Sequence, residues 1–406
     1  MPISEFARVN YDRAMSELFS NWSGLVQSRP NEVRSVSSIA ETREAICAAN
    51  AAGWSIRTAG TTHSHSALVH ADDGLVLLTD ALSSKPEVCA GTGTARVMAG
   101  NKLFSIGETL WDAGFSLANQ GDIDVQSIGG LIGTGVHGTG RALRSISDSV
   151  VAATLLTASG ELVDTNQEPE LLEALRLNLG AFGVVVDATL SLVPAFHLHE
   201  RSWCEPIEPV MERIDELTSA TRHFEFFWRP ESDEAFAKAL HPSVGPVDRM
   251  VEKEGEYVDR AYVVLPTKRD NKHTEMEYSV PAEHGPACFM KLRKLMQTRF
   301  PEVLWPVEYR TLAADNGWIS TARGRATVTI SIHQAVDLPH EEFFRTSEAL
   351  FREHQGRPHW GKVHYLGAKE LAAEHPETWD RFWTVQRRFD PKGRFLNPHL
   401  RHISGL

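Results

Sequence analysis

The sequence predicts an α+β chain of two domains. Strand-like and helix-like segments follow one another irregularly, without the steady strand-helix-strand rhythm of a parallel doubly wound sheet. Pro194 marks a boundary, and beyond it the strand candidates read as parts of one larger sheet with helical patterns between them. At 406 residues the chain is long enough for two or three domains with a well-buried core.

The elements follow in order. Trp22 to Val33 leads into a helix at Val36-Ser37-Ser38, where Ser38 and Glu41 form a capping box. That helix runs through Ile46 and Ala49, with Gly53 placed as its C′ residue. Trp54–Thr58, Gly74–Thr79 and Ala95–Ala99 are short apolar runs between turn residues and read as strands. Lys102–Ala113 is a helix closed by Gly114. Val150–Thr157 and Glu161–Asp164 flank Ala158-Ser159-Gly160 as a hairpin, Glu170–Asn178 is helical, and Val184–Leu192 is a strand. Past Pro194, strands are expected at Phe224–Trp228, Ala261–Leu265, Thr274–Val280 and Thr327–Ile332, and helices at Val210–Ser219, Ala287–Thr298 and His340–His354.

Composition excludes several classes. A hydrophobic fraction of 42% and a charged fraction of 23% are ordinary for a globular protein. A net charge of −12 argues against nucleic acid as a partner, because phosphate binding wants clustered Lys and Arg. No run of about 18 apolar residues predicts a membrane span. Met1–Arg8 lacks a basic stretch followed by an apolar core, so a secretory signal is not expected. Cys47, Cys89, Cys204 and Cys288 are scattered without a C-x-x-C, which indicates neither a zinc site nor a disulfide framework and fits a reducing cytoplasm.

Two glycine-rich stretches carry the chemistry. In Arg57-Thr58-Ala59-Gly60-Thr61-Thr62-His63-Ser64-His65-Ser66 a strand turns at Gly60 into small hydroxyl residues interrupted by two imidazoles. Small side chains let backbone approach a ligand, and successive N–H groups in a tight turn make an anion nest suited to a pyrophosphate. The second stretch runs from Ser127 to Gly140, and six of the twelve residues from Gly129 onward are glycine. Gly133 to Gly138 spells G-x-G-x-x-G, but no helix-length pattern follows and the next strand, Val150–Thr157, ends without an acidic residue. A nicotinamide site is therefore rejected. One ligand held by both stretches is the economical account. His63 and His65, two apart in an extended segment, also offer half of a metal site, but no cysteine or carboxylate neighbours them in sequence, so no metal is expected.

Gly60-Thr61-Thr62-His63-Ser64, Ile128-Gly129-Gly130, Gly135-Val136-His137-Gly138-Thr139-Gly140 and Arg357-Pro358-His359-Trp360-Gly361-Lys362, taken in order, resemble the sugar-lactone branch of the vanillyl-alcohol-oxidase-type flavoproteins. The resemblance runs nearly end to end. Asn119-Gln120-Gly121-Asp122, Phe224-Glu225-Phe226-Phe227 and Thr274-Glu275-Met276-Glu277-Tyr278 are most similar to the bacterial lactone dehydrogenases, with alditol oxidases next nearest. The charged character of the stretch from Val244 to Arg269 contrasts with the apolar insertion of some animal members.

The resemblance implies a two-domain architecture. An FAD-binding domain of the PCMH type occupies 1–194, a substrate-binding cap with an antiparallel sheet 195–365, and the chain returns to the FAD domain over 366–406. It implies FAD, bonded covalently through His63 and contacted by Arg57, Gly60, Thr61, Thr62, Ser64, His65, Ser66, Ser127, Ile128, Gly129, Gly130, Thr134, Gly135, His137, Gly138 and Val185. His65 is the competing anchor, and a structural histidine is the other reading of His137. By itself Glu308-Tyr309-Arg310 reads as an ion pair on a solvated sheet face. Through the resemblance, Glu308, Arg310 and Lys362 become the catalytic set, while Ser331 and His333, two apart on the next strand, hold substrate.

The implied reaction takes a hydride from a secondary alcohol carbon of an aldonolactone such as L-gulono-1,4-lactone to flavin N5, with O2 or an electron carrier as acceptor. The alternatives are an alditol oxidase making an aldose and H2O2, a flavin-binding protein without turnover, and a metal hydrolase built on the many histidines.

Overall fold

The computed structural model describes residues 18–243, 255–269 and 271–406; Met1–Arg8 and residues 244–254 of the charged stretch lie outside them. Ser38 does cap the first helix, Ile39–Ala52, its hydroxyl accepting from the N–H of Glu41, and Gly53 closes it at φ 77°. The strands that follow build a three-stranded parallel sheet in the order Glu32–Ser35, Leu75–Leu78, Ile56–Ala59. A five-stranded antiparallel sheet runs Leu162–Asp164, Val150–Thr157, Gly183–Ser191, Thr94–Met98, Glu87–Cys89.

The core on one face of the five-stranded sheet is shared with the far end of the chain. Leu371, Trp379, Phe382, Trp383, Leu400 and Ile403 from the last helices pack with Ile106, Leu131, Leu155 and Phe182. Full burial of each such side chain contributes about 1.5–3 kcal/mol.

The second half forms an eight-stranded antiparallel sheet, ordered Glu256–Arg260, His197–Pro206, Glu234–Ser243, His223–Arg229, Val307–Leu312, Thr327–Ala335, His273–Pro281, Arg357–Pro358. Side chains alternate across such a sheet. Phe224, Phe226, Trp228, Met276, Tyr278, Tyr309 and Ile330 point one way, into an apolar core with Phe289 and Phe344 from the covering helices. Glu225, Glu275, Glu277, Glu308, Arg310, Ser331 and His333 are the intervening residues, also buried, and therefore line the other face.

Three expectations change. The apolar run Ala261–Leu265 is not a strand: Ala261–Val264 is a short helix laying Ala261, Val264 and Leu265 on Leu198 and Leu240, with Val263 left 43% exposed. Four or five apolar residues do not distinguish strand from helix by period. The helix expected over Val210–Ser219 is two, Ile207–Glu212 and Ile214–Ala220, broken at Arg213. The second glycine-rich stretch, to which the sequence assigns no element, contains the helix Ile128–Thr134 closed by Gly135 at φ 75°. Burial of Ile128, Leu131 and Ile132 outweighs the weak helix propensity of its three glycines. The strands His197–Pro206 and Glu234–Ser243 escaped prediction because Glu200 and Lys238, both buried, break their apolar alternation.

Among the described residues no helix is long and apolar enough to cross a membrane.

Candidate active site

A single cleft of about 1380 Å³, counting its open mouth, runs between the two glycine-rich stretches and on to the polar face of the eight-stranded sheet. Its walls include Arg57, Gly60, Thr61, Thr62, His63 and Ser64 from the first stretch, and Ser127, Gly129, Gly130, Thr134 and His137 from the second. Val185 joins them from the strand Gly183–Ser191. His65, Ser66, Ile128, Gly135 and Gly138 lie behind this wall. Gly60 is glycine because the stretches touch there: a Cβ would sit 2.1 Å from Ser127 Oγ. At Gly138 a Cβ would meet the Gln120 carbonyl oxygen at 2.2 Å.

The cleft fits a dinucleotide. Among the described residues the backbone N–H groups of Thr61, Thr62, His63 and Ser64 meet no acceptor, and Thr62 adopts φ 57°. Consecutive unpaired donors in a turn suit a diphosphate. Arg57 holds the turn from beneath, its guanidinium donating to the carbonyls of Leu68, Leu179, Gly180 and Phe395. Burial brings that guanidinium down to about 9, with Asp390 acting in the opposite direction.

His63 faces this cleft. The Trp22 backbone N–H donates to the Thr62 carbonyl at 2.9 Å, and the Trp22 ring lies 5.0 Å from the His63 ring. Burial, then Lys362, Lys102 and His273, hold the His63 imidazole down to about 4, so the ring is neutral near pH 7. His65 turns away toward the cap sheet, its Nε2 3.6 Å from Glu275 Oε2.

The polar end is organised by one strand. Glu275 and Glu277, two apart on His273–Pro281, project together, and each takes one of the two cations. Glu277 accepts from Arg310, from Ser331 Oγ at 2.7 Å and faces His137 Nε2 at 2.9 Å. Glu275 accepts from Lys362, which reaches it because the chain leaves the sheet at Arg357–Pro358 and turns across its edge. In that turn the Gly361 carbonyl also accepts the His65 N–H at 2.6 Å, tying the cap to the first glycine stretch. Burial alone would raise both carboxyls. Lys362 and His333, then His273 and His65, hold Glu275 well below the usual range, and Arg310 and His137 do so for Glu277. Burial works against the Arg310 charge too, but Glu308, Glu277, Asp122 and Glu225 push its pKa up.

Glu308 is the carboxylate left over. It lies 3.5 Å from Arg310 Nη2 and 3.7 Å from Arg269 Nη2, while Arg269 gives its hydrogen bond to Asp122. Its Oε1 finds no hydrogen-bond partner among the described residues. Burial raises Glu308 to about 8; Arg310 and Arg269 pull the other way, and Asp122 and Glu225 add to the rise.

Glu308, Arg310, Lys362 and His333 thus meet at one end of the cleft. Ser331 does not line it: fully buried, it is spent on Glu277. The partner expected for Arg310 was Glu308; the hydrogen bond goes to Glu277. Sequence reasoning gave no role to Glu275, Glu277, Asp122, Arg269 or His273, although Asp122, Glu275 and Glu277 stand in motifs it singled out. The available signal was the E-x-E spacing of Glu275 and Glu277, which sets two carboxylates on one strand face.

The profile described as D-arabinono-1,4-lactone oxidase matches residues 188–254 and 242–403, and the FAD binding domain profile matches 30–166. The L-gulono-1,4-lactone dehydrogenase of Mycobacterium tuberculosis is 34% identical, over 96% of this chain and 100% of its own length. The chain belongs to the sugar-lactone branch of the vanillyl-alcohol-oxidase-type flavoproteins. As such a flavoprotein it is also similar to the alditol oxidase of Streptomyces sp., at 26% identity over 96% of this chain and 99% of that one. Among solved structures, cholesterol oxidase from B. sterolicum shares the fold with a TM-score of 0.82 at 16% identity, covering 95% of this chain and 96% of the other. FAD is the cofactor the first domain serves, and the second domain is the sheet-rich cap.

Proposed function

We propose that this flavoprotein oxidises an aldonolactone, L-gulono-1,4-lactone or a close relative, at a secondary alcohol carbon. The observation that carries the reading is the cation pair at the end of the cleft: Arg310 and Lys362, each with its own buried carboxylate, beside Glu308, whose Oε1 has no hydrogen-bond partner among the described residues. FAD, when bound, supplies the two-electron acceptor for the hydride.

The chain's own residues do the rest. As the alcohol loses its proton, negative charge grows on the substrate oxygen, and preorganised cations in a water-poor site meet it without reorganising. Arg310 and Lys362 supply those cations, with Glu277 and Glu275 fixing where they point. Glu308, raised to about 8, takes the hydroxyl proton as general base once ionised. His333 Nδ1 is committed to the Pro306 carbonyl at 2.8 Å, so a neutral ring offers Nε2 as an acceptor to a lactone hydroxyl. His63 is the covalent anchor, and its low pKa supplies the neutral imidazole that such a bond needs. The acceptor is O2 or an electron carrier, no nucleic acid takes part, and the protein works in the cytoplasm.

The test is anaerobic mixing of the holoenzyme with a panel of aldonolactones and alditols, followed by air. Bleaching of the flavin bands by lactones ahead of alditols is the expected result, and reoxidation by air or its failure identifies the acceptor. Faster bleaching by alditols would transfer the reading to the alditol oxidases.

A further inference from the structure

Glu275 sits in a cage of nitrogen donors. Its Oε2 lies 3.6 Å from His65 Nε2 and 3.8 Å from His273 Nε2, and its Oε1 lies 3.7 Å from His333 Nε2. The four residues come from two separate strands and the first glycine stretch, and all are buried. Two of the rings have fixed tautomers. His273 Nδ1 faces the Asn271 carbonyl at 2.9 Å and His333 Nδ1 the Pro306 carbonyl at 2.8 Å. A carbonyl only accepts, so each Nδ1 carries a hydrogen, and Nε2 is the nitrogen left facing the carboxylate. Backbone carbonyls holding the far nitrogen are the usual support of metal-binding histidines.

Three imidazole nitrogens converging on one buried carboxylate at this range form a pocket for a cation. Here the cation is the Lys362 ammonium, hydrogen-bonded to Glu275. The ligand atoms of His65, His273 and Glu275 all lie within 4.8 Å of one another. Bonds of about 2.1 Å to a tetrahedral ion bring such donors to roughly 3.4 Å apart, a contraction within reach of small side-chain rotations.

We infer that His65, His273 and Glu275, with His333 at the second carboxylate oxygen, form a binding site for a borderline divalent ion, Zn2+ above all, which enters by displacing the Lys362 ammonium. Imidazole with one carboxylate suits Zn2+ and does not suit Mg2+, which keeps oxygen ligands. Binding therefore takes Lys362 out of the reaction centre, and on the lactone reading above Zn2+ is a reversible inhibitor competing with substrate.

Equilibrium dialysis of the tag-free holoenzyme against Zn2+, with Mg2+ as control and no lactone present, tests the site. One Zn2+ per chain is expected. Lys362→Met should tighten binding about tenfold or more, because the ion no longer displaces a charge-assisted hydrogen bond. His273→Ala, and the isosteric Glu275→Gln if the first folds poorly, should weaken it by at least about tenfold. Absence of stoichiometric Zn2+ from both the wild type and Lys362→Met refutes the site, as does binding that survives both ligand substitutions. Metal uptake is read without turnover, so failure of the lactone reading leaves this result standing, and the reverse also holds.

Discussion

Replacing Glu277 by glutamine removes one charge and almost no volume, and it separates support from catalysis at this site. Glu277 is 1% exposed and meets Arg310, Ser331 and His137. Glutamine keeps an acceptor for Ser331 but leaves Arg310 without its hydrogen-bonded counter-charge. Breaking a buried ion pair from one side costs about 3–5 kcal/mol. The lower end applies, because Glu308 stands 3.5 Å from the same guanidinium and offers it a second carboxylate. Repartnering has a signature that lost packing does not. In the wild type Glu308 must ionise to accept the proton, so anaerobic flavin reduction at saturating lactone should rise as pH passes through about 8. Once Arg310 leans on Glu308, that carboxyl is easier to ionise and the limb should move to lower pH. Stopped-flow reduction across roughly pH 5.5–10, the range in which a carboxyl so raised titrates, measures the shift, and a urea midpoint lowered at constant m-value measures the stability. A variant that loses stability yet keeps both the rate and the limb of the wild type would show that Glu277 only holds the fold, and that Glu308 is not the base.

Four further outcomes follow from the same geometry. Arg310→Met or Lys362→Met, checked for full flavin content, should slow anaerobic reduction by roughly a hundredfold to a thousandfold, and Arg310→Lys should rescue only in part because a point charge lacks the planar fork; an unchanged rate removes that residue from the mechanism. Acid-precipitated wild type should stay yellow, His63→Ala should release its flavin and His65→Ala should not; the reverse pattern would move the anchor to His65. His333→Ala should raise the lactone KM by about twofold to twelvefold, the worth of one hydrogen bond of about 0.5–1.5 kcal/mol, whereas Ser331→Ala should act through stability and the Arg310 geometry, since its hydroxyl is turned onto Glu277; equal KM effects from the two would contradict the placement of Ser331. A carboxyl raised from 4.5 to about 8 lends the fold a stability that is complete below its unfolded value and is lost as pH rises through about 8, so Glu308→Gln should flatten that part of the stability profile and become relatively more stable above pH 8; parallel profiles would mean that Glu308 is already ionised at neutral pH.

What the sequence determined by itself was what local chemistry encodes. Ser38, Glu41 and Gly53 specify both ends of the first helix because capping is a matter of a few neighbouring residues. Two clusters of small residues announce close backbone approach, and Glu308 and Arg310 share a strand face wherever that strand goes. The rest required distances that no spacing records. His65 lacked a carboxylate neighbour in the sequence, and the fold supplies Glu275 from a strand some two hundred residues on, a separation that sheet pairing bridges but local pattern does not. Arg310 pairs with Glu277 rather than with Glu308, its neighbour in sequence, because adjacent strands bring Ser331, Glu277 and Arg310 together in one buried layer, where an unpaired charge is too costly to leave. The second glycine stretch coils into a helix against its own propensity because Ile128, Leu131 and Ile132 find a core to enter. Tertiary structure decided these three points for one physical reason: burial and charge pairing act between residues that only the folded chain makes neighbours.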